Sequence, residues 1–147
     1  YAAANNKELE NFYPAFKAVK DYVVQAPEKT TGWYLPSIGQ WYDFTANLGG
    51  LPSWDDAINE GNDLTPNLYR WSNQTELVSK INAYFEPLGT GNYDAIPNGS
   101  YQKFFSSSTY SDSGIWTWFV GKQANVVQCW HNVRYNSDSA VRPILAF

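Results

Sequence analysis

His131 is the only histidine of the 147-residue chain, and Cys129 is its only cysteine. They stand two residues apart, so on a β-strand both side chains point to one face. There an imidazole could accept the thiol proton and leave a nucleophilic thiolate. A Ser-His-Asp arrangement would also have to use His131, with Ser106 and Asp138 as partners. No Gly-x-Ser-x-Gly turn is present to hold such a serine. Zinc takes three or four protein ligands and this pair supplies two, so no metal is expected. Asp55, Asp56, Glu60 and Asp63 form the densest acidic group. Their oxygens suit calcium, but the spacing is not that of an EF-hand and reads as a solvated acidic loop. A carboxylate pair for glycoside hydrolysis need only meet in space, and no pair is singled out. A hydrolase or metal enzyme built on His131 is therefore the minor reading, and no cofactor is expected.

The stronger chemistry is recognition. Aromatic residues make up 18% of the chain, with seven Trp, eleven Tyr and eight Phe. Flat rings stack on sugar faces or anchor protein interfaces, and neighbouring amides, carboxylates and guanidinium groups supply directional hydrogen bonds. Such residues gather in the last third. Tyr110 and Asp112 lie in a loop, and Trp116 and Trp118 share one face of a strand. Trp130, Asn132, Arg134, Tyr135 and Asn136 follow on the next strand and its loop. These nine residues are the candidate ligand-binding set. The competing reading is that Trp116 and Trp118 are core between sheet and helices.

The elements that would carry these residues follow from spacing. Pro14 suits a first helical turn, and Phe16, Val19, Tyr22 and Val23 recur on one helical face, predicting a helix near 14–25 stopped by Pro27. Ser37 and Gln40 form a capping box before the stripe Ile38, Trp41, Tyr42, Thr45 and Leu48, and Gly49-Gly50 ends that helix. Asn73 to Glu76 repeats the capping pattern ahead of Leu77, Ile81, Tyr84 and Leu88, predicting a helix over about 74–86. Trp54 to Ile58 is compatible with a helical turn, and 89–100, with four Gly or Pro, is a long loop. Ile115 to Val120 between Gly114 and Gly121 reads as a strand, with Ile115, Thr117 and Phe119 on one face and Trp116, Trp118 and Val120 on the other. Val126 to Trp130 reads as a second strand, Asn136 to Ser139 as a turn or loop, and Val141 to Phe147 as a last strand in which Pro143 marks an edge position or a local break in the ladder. Val141, Leu145 and Phe147 are expected in the core. Helices first and strands after predict an α+β domain with an antiparallel sheet, a single unit over 1–147.

Composition bounds the function classes. Charged residues are only 16%, and the net charge is −4. Residues 1–99 carry six Lys or Arg against twelve Asp or Glu, whereas 100–147 carry four against two. Neither part has a basic run, which speaks against nucleic acid. No apolar stretch approaches the roughly 18 residues of a membrane-spanning helix. A chain without Met that starts at Tyr1 reads as part of a longer protein. One cysteine allows no intrachain disulfide, so packing must hold the fold.

Three segments together resemble a known family. They are Gly32-Trp33-Tyr34-Leu35-Pro36-Ser37, then Phe105-Ser106-Ser107-Ser108-Thr109, then Val141-Arg142-Pro143-Ile144-Leu145-Ala146-Phe147. They resemble the C-type-lectin-like domains of bacterial surface proteins, especially Bacteroides-type ones, a fold related to formylglycine-generating enzymes and to the variable proteins of diversity-generating retroelements. Phe105 stands where that family has Trp, and one extra Ser precedes Thr109. The resemblance implies a ligand-binding or adhesive domain at a bacterial surface or secreted from it, recognising a glycan or a host or bacterial surface protein. The runner-up it implies is a hypervariable receptor-binding module diversified within 106–136. The calcium-dependent sugar motifs of animal lectins are absent, since Glu86-Pro87-Leu88 and Trp130-His131-Asn132 do not match them. The cysteine pair of formylglycine-generating enzymes is absent too.

Overall fold

The computed structural model describes residues 13–50, 58–59, 69–72, 74–89, 91, 93–98, 101–121, 126–133 and 139–146, with the backbone alone at 58–59, 69–72, 121, 126, 128, 132 and 133. Three α-helices are described: α1 (Pro14–Lys20), α2 (Ile38–Gly49) and α3 (Gln74–Ala83), with a 3-10 turn at Glu86–Leu88. Six strands follow in chain order: β1 (Ile58–Asn59), β2 (Tyr69–Ser72), β3 (Gln102–Thr109), β4 (Gly114–Gly121), β5 (Val126–Val133) and β6 (Ser139–Ala140). They form one sheet in the order β1-β2-β5-β4-β3-β6. The chain is thus α+β. The sheet is mixed, not purely antiparallel, because β3 and β6 run parallel while every other pair is antiparallel.

The alternation predicted for β4 places the core. Trp118 and Val120 meet Val127 and Cys129 of β5, Phe104 of β3, Trp41 and Tyr42 of α2 and Leu77, Val78 and Ile81 of α3 in one buried cluster. The other face of the sheet gives Phe105 and Ile115 to a second cluster with Ala15 and Val19 of α1 and Leu35. Helices α2 and α3 therefore pack on one face of the sheet, and α1 covers part of the other.

α2 forms as expected. The Ser37 hydroxyl accepts from the Gln40 N–H at 3.2 Å, and the Gln40 side chain accepts from the Ser37 N–H at 2.8 Å. Gly50, at φ 71°, closes the helix in the left-handed region that a side chain disfavours. α1 is shorter than its periodicity predicts. Beyond Lys20, Tyr22 sets its ring edge-on to Trp33 at 5.2 Å, and the Trp33 indole N–H donates to the Val24 carbonyl at 2.6 Å. That carbonyl is taken by a distant side chain, and Val23 is 92% exposed. Tertiary contacts win over continuation of the helix. α3 stops at Ala83, leaving Tyr84 and Leu88 exposed although Leu77 and Ile81 are buried as expected. The loop after it is pinned by Asn82, whose side chain donates to the Ile96 carbonyl and accepts from the Ile96 N–H, at 2.9 and 2.8 Å.

Val141–Phe147 is not the predicted strand. Ser139, expected in a turn, and Ala140 form β6 instead. The segment after them makes one antiparallel bridge, Ile144 to Tyr34, with N–H to carbonyl bonds of 3.0 and 2.9 Å. Pro143 lacks the N–H that would continue a ladder. Val141 is half-buried and packs against the second cluster, Leu145 is half-buried, and Phe147 lies outside the described residues. Ile58 sits in β1, not in a helical turn; Trp54 to Ala57, the acidic group Asp55, Asp56, Glu60 and Asp63, and the Asn73 cap lie outside the described residues.

The three family-like segments interlock. The Ser107 N–H donates to the Pro36 carbonyl at 2.8 Å, and the Ile38 N–H donates to the Ser108 hydroxyl at 3.0 Å. Tyr34 of the first segment bridges Ile144 of the third. The serine run is the irregular half of β3, where the register with β4 shifts between Phe105 and Thr109. Its hydroxyls replace ladder bonds with bonds to neighbouring segments.

Candidate functional site

The tight turn between β3 and β4 delivers the first ring. The Tyr110 N–H donates to the Gly114 carbonyl at 3.0 Å, and the Gly114 N–H to the Ser111 carbonyl at 3.2 Å. A Cβ at Gly114 would meet the Ser111 hydroxyl at 2.8 Å and the Tyr110 ring at 3.2 Å, so glycine gives that ring its place. Tyr110 stacks on His131 with centroids 4.3 Å apart and planes 9° apart, and meets Trp116 edge-on at 5.3 Å. Trp130 lies 5.4 Å from His131 at 18°. Trp130 also lines a shallow depression of about 140 Å³ with Tyr101, Lys103 and Phe119. Tyr101 meets Phe119 edge-on at 4.8 Å, and the Lys103 ammonium sits 5.3 Å from the Tyr101 ring centre.

These contacts join the rings in a strip from Tyr101 through Trp130 and His131 to Tyr110, which passes from one side of the sheet to the other because Trp130 pairs with Thr117 and His131 with Trp116. It keeps apolar area in water: Tyr101 is 59% exposed, and Tyr110 and Trp130 are each 36% exposed. Lys103 at one end and exposed Ser111, Asp112 and Ser113 at the other supply polar groups. The strip offers ring faces for stacking and flanking groups for hydrogen bonds, and no aligned nucleophile and base.

The predicted residues separate accordingly. Tyr110, Trp116 and Trp130 come together, with Asp112 in the adjoining turn; Trp116 is half-buried against the core. Asn132 pairs through its backbone with Ile115. Arg134, Tyr135 and Asn136 lie outside the described residues. Trp118 is a correction. It is fully buried, stacks on Trp41 at 4.9 Å and 5°, and donates its indole N–H to the Thr45 hydroxyl at 2.8 Å. Two tryptophans on one strand face have different fates because α2 covers Trp118, whereas Trp116, two residues nearer the β3–β4 turn, is only partly covered. Sequence reasoning missed Tyr101, Lys103 and Phe119. The signal was there once 102–109 is a strand: register then places Lys103 opposite Phe119.

Cys129 and His131 do not form an exposed reactive pair. Cys129 is fully buried, and burial pushes its thiol well above the ordinary range, opposed weakly by a hydrogen bond with Tyr42. The Ser106 hydroxyl is buried and donates to the Trp116 carbonyl at 2.7 Å, while Asp138 lies outside the described residues. The His131 Nε2 is buried without a hydrogen-bond partner among the described residues. Among the described residues no three His, Cys, Asp or Glu side chains come together as a metal site, and no helix is long and apolar enough to cross a membrane. No known protein family, curated protein or solved structure matches this chain.

Proposed function

We propose that the chain is a non-catalytic ligand-binding domain of C-type-lectin-like fold, displayed at or secreted from a bacterial surface, and that the Tyr101–Trp130–His131–Tyr110 strip is its recognition face. Its ligand is a glycan or a protein of a host or bacterial surface, and the shallow, ring-lined shape favours the glycan. The observation that carries the reading is the exposure of Tyr101, Tyr110 and Trp130 in one connected run, outside both core clusters. Large rings left in water at one place mark recognition surfaces more often than they mark packing. The interlock of the three family-like segments supports the fold reading.

A glycan array probed with the intact chain and with Trp130→Ala tests this. The expected result is a defined set of bound glycans whose signals fall at least tenfold in the variant, while the circular dichroism of the two proteins coincides. Equal signals from both proteins would remove the strip from the account.

A further inference from the structure

A cleft of about 610 Å³ opens where the loop after α3 meets the segment after β6, and it shares no lining residue with the aromatic strip. That volume lies within the range of small-ligand sites, about 300–1,000 Å³. Phe85 and Tyr93 stack in its wall at 5.9 Å and 28°, and Tyr22 and Trp33 also line it. Arg142 enters from the family-like terminal segment. Its guanidinium lies 5.6 Å from the centre of the Phe85 ring and donates to the backbone carbonyl of Asp94. A guanidinium carries five N–H groups in a planar fork, so one bond to the chain does not exhaust it. The Asp94 side chain is exposed at the rim, and its carboxylate acts electrostatically on Arg142. The remaining lining residues carry no charge.

We propose that this cleft is a second binding site and that it takes a neutral sugar. One fixed cation stands beside one fixed anion. An anionic ligand would gain Arg142 and be repelled by Asp94, and a cationic ligand would meet the reverse. A neutral ring of hydroxyls satisfies both, accepting from Arg142 and donating to Asp94. Its apolar C–H face lies on the aromatic wall. The site does not depend on the strip: either can fail alone.

Ligand-observed NMR of the intact chain tests it, using glucose, galactose, mannose and their disaccharides, with glucuronic acid as the acidic comparison. Asp94→Asn removes the rim charge and leaves the backbone carbonyl to Arg142, so its melting temperature stays that of the parent. The expected result is saturable binding of at least one neutral sugar, weakened at least tenfold by Asp94→Asn and unchanged by Trp130→Ala. Preference for glucuronic acid, equal affinity in Asp94→Asn, or no neutral sugar bound at the highest soluble concentrations would each overturn the proposal. Loss in Trp130→Ala would place the sugar on the strip instead and would also overturn it.

Discussion

Trp118 lies fully buried at the centre of the aromatic core. Its ring stacks on Trp41, meets Phe44 edge-on at 5.9 Å and lies 5.5 Å from Phe104. Its N–H donates to Thr45, whose hydroxyl passes a 2.8 Å bond to the Trp41 carbonyl. A buried indole needs such a partner. Trp118→Ala empties the centre of the core, and chemical denaturation should record a loss of about 3–5 kcal/mol. Trp130, more than a third exposed, should lose far less when truncated, so the two tryptophans separate stability from binding. Cys129 supplies a second test at this scale. A buried, protonated thiol resists attack, so Ellman's reagent should leave the native chain untouched and react once denaturant unfolds it. The pH dependence has a defined sign. The folded thiol keeps its proton where the unfolded thiol ionises, so its contribution is complete below the ordinary thiol range and is lost as the pH rises above it.

At the scale of elements, α2 is the helix that sequence describes best, and its cap is its most separable part. Ser37→Ala removes the acceptor for the Gln40 N–H and should cost about 1 kcal/mol in thermal or denaturant unfolding, with the fold kept. The legible elements are those whose local signals agree with their burial. The Ser37–Gln40 box, the Trp41–Thr45 stripe and the alternation of β4 state in sequence what packing then uses. Other elements were opaque for physical reasons. The serines of β3 carry no strand signal because the Ser106 and Ser108 hydroxyls bond Trp116 and Ile38 and the Ser107 N–H bonds Pro36, neighbours that no local window contains. α1 ends early where Tyr22 turns to pack edge-on against Trp33, a contact from outside the helix that no local window contains. Val141–Phe147 has strand-forming residues, but Pro143 and a single bridge to Tyr34 leave it an extended brace. The site was legible in part for the same reason. Tyr110, Trp116 and Trp130 announce themselves by type, whereas Tyr101 and Lys103 become neighbours of Trp130 only when β3 pairs with β4.

At the scale of the whole molecule, the sheet divides labour between its faces. One is sealed under α2 and α3 by the Trp41–Trp118 stack, and the other is sealed by α1 only around Phe105 and Ile115. The uncovered part of that second face carries Trp130 and Tyr101, and the run continues round β5 to His131 and Tyr110 beside Trp116 on the first face. The motifs that carry the family resemblance serve the scaffold, and the aromatic run proposed for recognition lies beside them. The most direct measurement of this account follows the indole N–H signals in a heteronuclear NMR titration with a glycan identified on the array. The account predicts that the Trp130 indole signal moves on binding while that of Trp118, sealed against Thr45, stays in place. Movement of Trp118 with Trp130 silent would contradict it.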